Sequence, residues 1–319
     1  MEPSKRLTRN SVEKKPETLL AILSEETLKV LKMLAEESKI NIDEVKTVLK
    51  KRVQKRISDE IVCEEWKTRI IENRVKELVR GELSLGNAVV AIEAVLEDAG
   101  LVGTSSGVLN AVLEVGVSWD HLIDLPFIPG SSLKGAFRNT LLALCTTNLR
   151  KHNDGETCLR HLADLLGWLE GAYDISQVAN LLGLEEEKVK EIAEEAEHAG
   201  LLIFHDTYLL CNEAGRLLEP WVITPHYRDA ETEYDARPVP VEHVVLAPGL
   251  RGVFVVGVRK EAKSHLNKLS ELLLGRGCSG RGCLVFLSQL VGAALASGVG
   301  ARTSRGYSRF RVERVYVRW

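Results

Sequence analysis

Residues 128–138 read Ile-Pro-Gly-Ser-Ser-Leu-Lys-Gly-Ala-Phe-Arg, and no other stretch constrains the fold as tightly. Pro129-Gly130 is a strong turn dipeptide and Ser131 and Ser132 are favourable N-cap residues, so a helix must begin here. The pattern predicts that helix over 131–147, running through Leu141 and Leu142. Such a start is also an anion site. Free N–H groups and the helix dipole favour negative charge, Lys134 adds a point charge beside Gly135, and Arg138, one turn on, adds a planar fork. An ordinary capped core helix explains the same residues without any ligand.

A second element of the same chemistry lies near the C-terminus. Residues 298–307 read Gly-Val-Gly-Ala-Arg-Thr-Ser-Arg-Gly-Tyr and are followed by Ser308-Arg-Phe-Arg-Val312. Gly298, Gly300 and Gly306 permit positive φ and close approach to a ligand, while Arg302, Arg305, Arg309 and Arg311 bring charge to the same neighbourhood. A tight hairpin explains Gly-x-Gly as readily as a nucleotide site does. The stretch lacks the Gly-Lys-Ser/Thr ending of a P-loop and precedes a strand-like run instead of opening a helix. The pattern predicts an apolar helix over 284–296, a glycine loop, and a terminal strand over 310–317.

Together the two motifs resemble the RAMP superfamily of CRISPR proteins, which combines an Ile-Pro-Gly-Ser-Ser-Leu-Lys-Gly segment ending in arginine with a C-terminal glycine-rich loop. Further stretches are, in order, most similar to the sixth Cmr subunit family of type III-B effector complexes. They are Val112-Leu-Glu-Val-Gly-Val117 ahead of Leu125–Gly130, then Leu201–Asp206, Leu218–Tyr227 and Pro238-Val-Pro-Val241. The resemblance covers 85–319 with a break at 152–200. It implies an α+β, ferredoxin-like (RRM-like) core. It also implies binding of the CRISPR guide RNA (crRNA) near its 3′ end, complementary target RNA, and other RAMP subunits as partners in antiviral defence. No catalytic residue, cofactor or metal ligand is assigned on this reading.

At 319 residues with a 45% hydrophobic fraction, the chain can fill one core with additions or two small cores. Lys+Arg 42 against Asp+Glu 45 leaves a net charge of -3, so any RNA site must be a local patch. No apolar run approaches the roughly 18 residues of a membrane span, and Met1–Lys15 lacks a signal-peptide core. A cytoplasmic protein with no membrane partner and no small-molecule substrate is expected. Few glutamines (Gln54, Gln177 and Gln289) and abundant charge fit a thermophile. Cys63, Cys145, Cys158, Cys211, Cys278 and Cys283 lack the dense spacing of a secreted disulfide scaffold. Cys278 and Cys283 read as half a metal site or a local disulfide, but without a matching Cys/His pair nearby, free thiols are expected.

The chain divides into 1–84, a polar tail and helical addition; 85–319, the core; and 152–200, a helical insertion within it. In the addition Leu28, Leu31 and Ala35 define one apolar face, and Val45, Val48, Leu49 and Val53 another. Lys50, Lys51, Arg52, Lys55 and Arg56 form a basic band, read as a solvated face in preference to an RNA contact. The insertion has the helix, helix-turn-helix and strand order of a winged helix. Seven glutamates between Glu185 and Glu197 oppose a polyanion there and favour protein contact. Core strands are predicted at 88–97, 201–206, 241–247, 252–258 and 310–317.

Three functional classes follow. In the first, Ser131, Ser132, Lys134, Gly135, Arg138, Gly298, Gly300, Arg302, Thr303, Ser304, Arg305 and Gly306 form a sequence-independent guide-RNA surface. The resemblance places Thr104–Gly107 and Thr224–Tyr227 beside it, with Tyr227 or Trp119 as a base-stacking aromatic unless either is core. The second is an endoribonuclease, cutting target RNA through Glu114 with Asp120 and Asp124, or processing guide RNA through His121, His205 or His226. The third is a structural cap that never touches RNA.

Overall fold

The computed structural model describes residues 18–35, 63–103, 117–152, 154–168, 174–196, 199–223 and 241–319, with positions 49, 52, 53, 56 and 61. At its centre β1 (Ala88–Leu96) is buried along nearly its whole length, as a strand covered on both faces must be. It pairs antiparallel with β8 (Arg251–Val258) on one side and β9 (Phe310–Arg318) on the other. Beyond β8 come β5 (Thr207–Leu210), β3 (Leu125–Ile128) and β2 (Trp119–Asp120), giving the order β2-β3-β5-β8-β1-β9, with β4 (Leu202–Phe204) also on β8. The architecture is α+β, helices packed on an antiparallel sheet.

The strand pleat sends alternate residues of β1 to two different cores. Val90, Ile92, Ala94 and Leu96 join the main cluster. Val89 and Ala91 join Val255 in a smaller one on the opposite face. The main face carries α3 (Gly130–His152) and α8 (Arg281–Ser297), which pack against each other. Leu133, Phe137, Leu141 and Cys145 recur every fourth residue of α3, which makes one buried stripe.

The opposite face is covered by α2 (Glu65–Ser84), whose Val75, Val79 and Leu83 lie over the smaller cluster. Where α2 meets β8, a Cβ on Gly257 would stand 2.5 Å from the Glu82 carboxylate, so that strand position needs glycine. Glu82 is buried and meets His205 Nε2 at 2.7 Å. At the other end of α2, the buried Lys67 Nζ donates to the buried Asp124, to its carbonyl at 3.3 Å and its carboxylate at 3.4 Å. Trp119 Nε1 donates to the same carboxylate at 3.1 Å.

In α1 (Leu19–Ala35) the buried face is Ile22, Leu23, Glu26 and Val30. Leu28, expected on that face, is 58% exposed. Residues 45, 48, 50, 51 and 55 and the side chains of Leu31 and Ala35 lie outside the described residues, while Val53 is buried. From the basic band, Arg56 bonds Glu26 at 2.7 Å and Arg52 stands 3.8 Å from it, which is the behaviour of a packed helix face.

The insertion contributes α4 (Gly155–Leu166), α5 (Ile175–Leu182) and α6 (Glu186–Glu195). Asp174 caps α5 by accepting the Gln177 N–H at 3.2 Å. The strand that follows, β4, pairs with β8 of the core sheet. α6 is less of a bare acidic face than its composition suggests, because Arg160 pairs with Glu191 and Glu195 and Lys188 with Glu191. One helix, α7 (Ala262–Leu274), is absent from the predicted core pattern; it packs on α4 and α8.

Two expectations are corrected. Residues 241–247 were placed among the core strands, but β7 (Val241–Leu246) pairs with β6 (Leu218–Ile223) in a separate two-stranded sheet. That sheet is tied to the chain leaving β1 by a Gly100–Leu246 bridge and by Ala99, Leu101 and Val245. An apolar run announces a strand but not the sheet it joins. Cys278 and Cys283 are not the free thiols that the sequence suggests, and all six cysteines pair, as Cys63–Cys211, Cys145–Cys158 and Cys278–Cys283. Tertiary packing brings Cys63 and Cys211 to a Cα separation of 5.8 Å across 148 residues, within bridging reach. Among the described residues, no helix is long and apolar enough to cross a membrane.

Candidate nucleic-acid interface

The first motif does open a helix, but one residue earlier than its hydroxyls suggest. α3 begins at Gly130, and the Pro129 carbonyl accepts from Ser132 at 2.9 Å and Leu133 at 3.2 Å. Ser131 and Ser132 therefore lie inside the first turn and not at the cap. The Gly130 N–H is taken by Asp206, whose carboxylate accepts it at 2.7 Å. A carboxylate so placed already answers the positive end of the helix dipole, so the bare helix start is not by itself a vacant phosphate cradle. Gly130 is required for packing, since a Cβ there would lie 2.2 Å from the Phe204 carbonyl oxygen.

The rest of the motif faces outward. Ser131 is exposed, and Ser132, Lys134 and Arg138 are half-buried. Burial and the neighbouring Arg138 charge both hold Lys134 below the ordinary lysine pKa. Gly135 has open space where a Cβ would stand, so packing does not explain a glycine that costs a helix interior about 1 kcal/mol.

The glycine loop follows α8 and closes onto the segment after β1. Val299 N–H donates to the Ser308 carbonyl at 2.9 Å, Ala301 N–H to Leu101 at 2.8 Å, and Ser308 N–H to Ala99 at 3.0 Å. Gly300 sits at φ +122°, and a Cβ there would lie 2.3 Å from the Leu101 carbonyl oxygen. Gly298, at φ +104°, is equally confined by Thr303 and Tyr307. The close approach that these two glycines permit is thus to the protein itself. Its result is a short 3-10 turn, Thr303–Arg305, flanked by Arg302 and Gly306 in left-handed conformation.

Arg302, Ser304 and Arg305 are exposed on that turn. Among the described residues, no carboxylate pairs with Arg302 or Arg305, whereas Arg311 lies 3.8 Å from Glu97 and 3.5 Å from Glu313, and Arg314 lies 3.7 Å from Glu93. Arg302 and Arg305 are available to an anion, whereas Arg311 and Arg314 already stand beside carboxylates.

Sheet register separates the two motifs. Gly130 packs beside Phe204 and His205, level with Val256 and Val255 and hence with Val90 and Ala91 of β1. The loop joins β9 at Phe310, opposite Leu96. Five or six residues of β1 is roughly 17–20 Å along the strand direction, so the two form successive patches and not one pocket.

The other predicted residues are dispersed. Glu114, His226 and Tyr227, with 104–107 and 224–227, lie outside the described residues. Trp119 is core, 7% exposed. Asp120 is committed to structure: it accepts from Tyr208 Oη at 2.5 Å and from the N–H groups of Leu122 and Ile123. Burial pushes its carboxyl up, but these bonds and the Arg74 charge outweigh that and hold it below the usual range. Burial and the same bond push Tyr208 up to about 12. Asp124 is held by Lys67 and Trp119. His121 is exposed, and His205 is bonded to Glu82. Asp206 is the residue that sequence reasoning missed, because its partner lies 76 residues away.

Comparison with known proteins follows the same lines. Cmr6 of Saccharolobus solfataricus, a CRISPR system CMR subunit, is 25% identical over 279 residues, covering 87% of this chain and 75% of its own. The cryo-EM structure of the Type III-B Cmr-beta bound to cognate target RNA contains a chain of the same fold. Its TM-score is 0.57 at 21% identity, covering 94% of this chain and 92% of that one. The RAMP superfamily model matches residues 79–311, which include both motifs and the main sheet up to the start of β9, and the chain belongs to the RAMP superfamily.

Proposed function

We propose that this protein is a non-catalytic, guide-RNA-binding subunit of a type III-B Cmr effector complex, positioned toward the 3′ end of the guide. The observation that carries the reading is the pair of exposed cations Arg302 and Arg305, without a carboxylate partner among the described residues, on a turn flanked by left-handed backbone on both sides. Lys134 and the open space at Gly135 supply a second contact. A single-stranded RNA backbone offers regularly spaced phosphates, and two patches offset along the strand direction suit a strand running past both. The similarity to a CMR subunit and to a chain of a target-RNA-bound Cmr-beta assembly supports complementary target RNA and neighbouring RAMP subunits as partners.

On this reading the strand–helix–strand–strand–helix–strand course β1-α3-β5-β8-α8-β9, with spatial order β5-β8-β1-β9, is a ferredoxin-like core. Residues 1–84 are an N-terminal addition, and 152–200 a winged-helix-like insertion followed by a strand of the core sheet. Target cleavage has less support, since Asp120 and Asp124 are both engaged by structural donors. The test is to purify the tagged chain from its native cell, sequence the co-purifying RNA, and incubate the assembly with complementary target RNA and Mg²⁺. The expected result is CRISPR guides, and target cuts that are unchanged in Glu114→Ala/Asp120→Ala. Loss of a cut makes the subunit a nuclease; absence of guides overturns the proposal.

A further inference from the structure

Apart from the residues of both motifs, the insertion meets the core through three convergent ligand-type atoms. His161 and Asp164 lie three apart on α4 and so share one helix face, and His265 reaches them from α7. His265 Nδ1 stands 3.2 Å from His161 Nδ1 and 3.1 Å from the Asp164 carboxylate. One ligand atom from each residue lies within 4.8 Å of the others.

Hydrogen bonding alone serves this arrangement poorly. A proton on His265 Nδ1 can point at the carboxylate or at the facing imidazole nitrogen, and its bond is divided if it serves both. A proton on His161 Nδ1 instead leaves two acceptors, the His265 nitrogen and the carboxylate, facing each other at 3.1 Å. A divalent ion accepts all three lone pairs at once. For tetrahedral zinc with ligands at 2.0–2.1 Å, the ligand–ligand edge is about 3.3 Å, close to both observed separations. Nearby cations are occupied elsewhere: Lys268 is bonded to Glu271, and Arg160 to Glu156 and Glu195.

We propose that His161, Asp164 and His265 form a transition-metal site of the zinc class, with two imidazoles, one carboxylate and a solvent-side fourth position. Softness favours Zn²⁺ over Mg²⁺ or Ca²⁺, which take all-oxygen ligand sets. The ion clips the inserted helices to α7, and so to the sheet.

The test uses the full chain, purified without reductant so that the disulfides stay closed, stripped with EDTA and dialysed. Co²⁺ is titrated with the visible spectrum recorded, and Zn²⁺ against a chromophoric chelator. Wild type is expected to bind one Zn²⁺ per chain, to give the intense spectrum of tetrahedral Co²⁺, and to unfold at a higher temperature with Zn²⁺. His161→Gln and His265→Gln are expected to bind at least about tenfold more weakly and to lose that thermal shift. Should either variant fail to fold, protection of His161 and His265 in wild type from diethyl pyrocarbonate by Zn²⁺ reads the same site. Substoichiometric Zn²⁺, equal affinity in folded variants, an octahedral Co²⁺ spectrum or unprotected histidines would each overturn the proposal. None of these readouts involves RNA, so the site stands or falls apart from the guide-binding reading.

Discussion

Replacing Arg302 and Arg305 together by alanine tests the guide-binding surface most directly. Both side chains are exposed, and among the described residues neither has a carboxylate partner, so each is free to neutralise one phosphate. Each phosphate contact on single-stranded RNA contributes about 0.7 to the slope of log K against log salt. Losing two lowers the slope by about 1.4, so over a fourfold salt range, from about 50 to 200 mM, the variant's affinity falls about sevenfold less than wild type's. The matched control is Arg311→Ala, which removes a cation already shared between Glu97 and Glu313 and leaves the slope unchanged. The assay is fluorescence anisotropy of a labelled guide on the assembled complex across a salt series, repeated with an unrelated RNA of the same length. Equal slopes for wild type and the double variant would refute the assignment. So would a slope change confined to one RNA sequence, because backbone contacts are blind to bases.

Other perturbations probe the frame and the first patch. Lys67→Met strands Asp124 in the core and is expected to cost about 3–5 kcal/mol in chemical denaturation, with much of the loss recovered in Lys67→Met/Asp124→Asn, which removes the charge yet keeps an acceptor for Trp119 and tolerates the left-handed backbone; no loss in the single variant would show that the buried pair does not matter. The Cys63–Cys211 bridge spans 148 residues, so Cys63→Ser/Cys211→Ser should destabilise by about 2–4 kcal/mol against a loop-entropy ceiling of about 5, and added reductant should affect the double variant less than wild type. Lys134 has its pKa lowered in the free protein, and a bound phosphate raises it again, so RNA binding takes up protons in the window between the two values. With rising pH the free ammonium deprotonates first, so affinity falls on the alkaline side, and Lys134→Met flattens that fall. Calorimetric titration at alkaline pH in two buffers of different ionisation enthalpy reads the uptake directly, and identical heats in wild type would remove Lys134 from the site.

The main elements were legible because their signals are local. β1, β8 and β9 are apolar or alternating runs of strand length, α3 and α8 carry long apolar helical faces, and Pro129-Gly130 marks where one state gives way to the other. The two charged motifs, and through them the superfamily, likewise stand in short contiguous stretches. Tertiary structure alone decided what depends on distant partners. It placed β7 in its own small sheet, and it gave the start of α3 to Asp206. It turned Asp120 and Asp124 from candidate cleavage-site carboxylates into hydrogen-bonded supports, closed three disulfides, and brought His265 to His161 across 104 residues. Periodicity reports which face of an element is buried but not what buries it. A contact between residues far apart in the chain leaves no spacing to read, because loops of very different length close at nearly the same entropic cost.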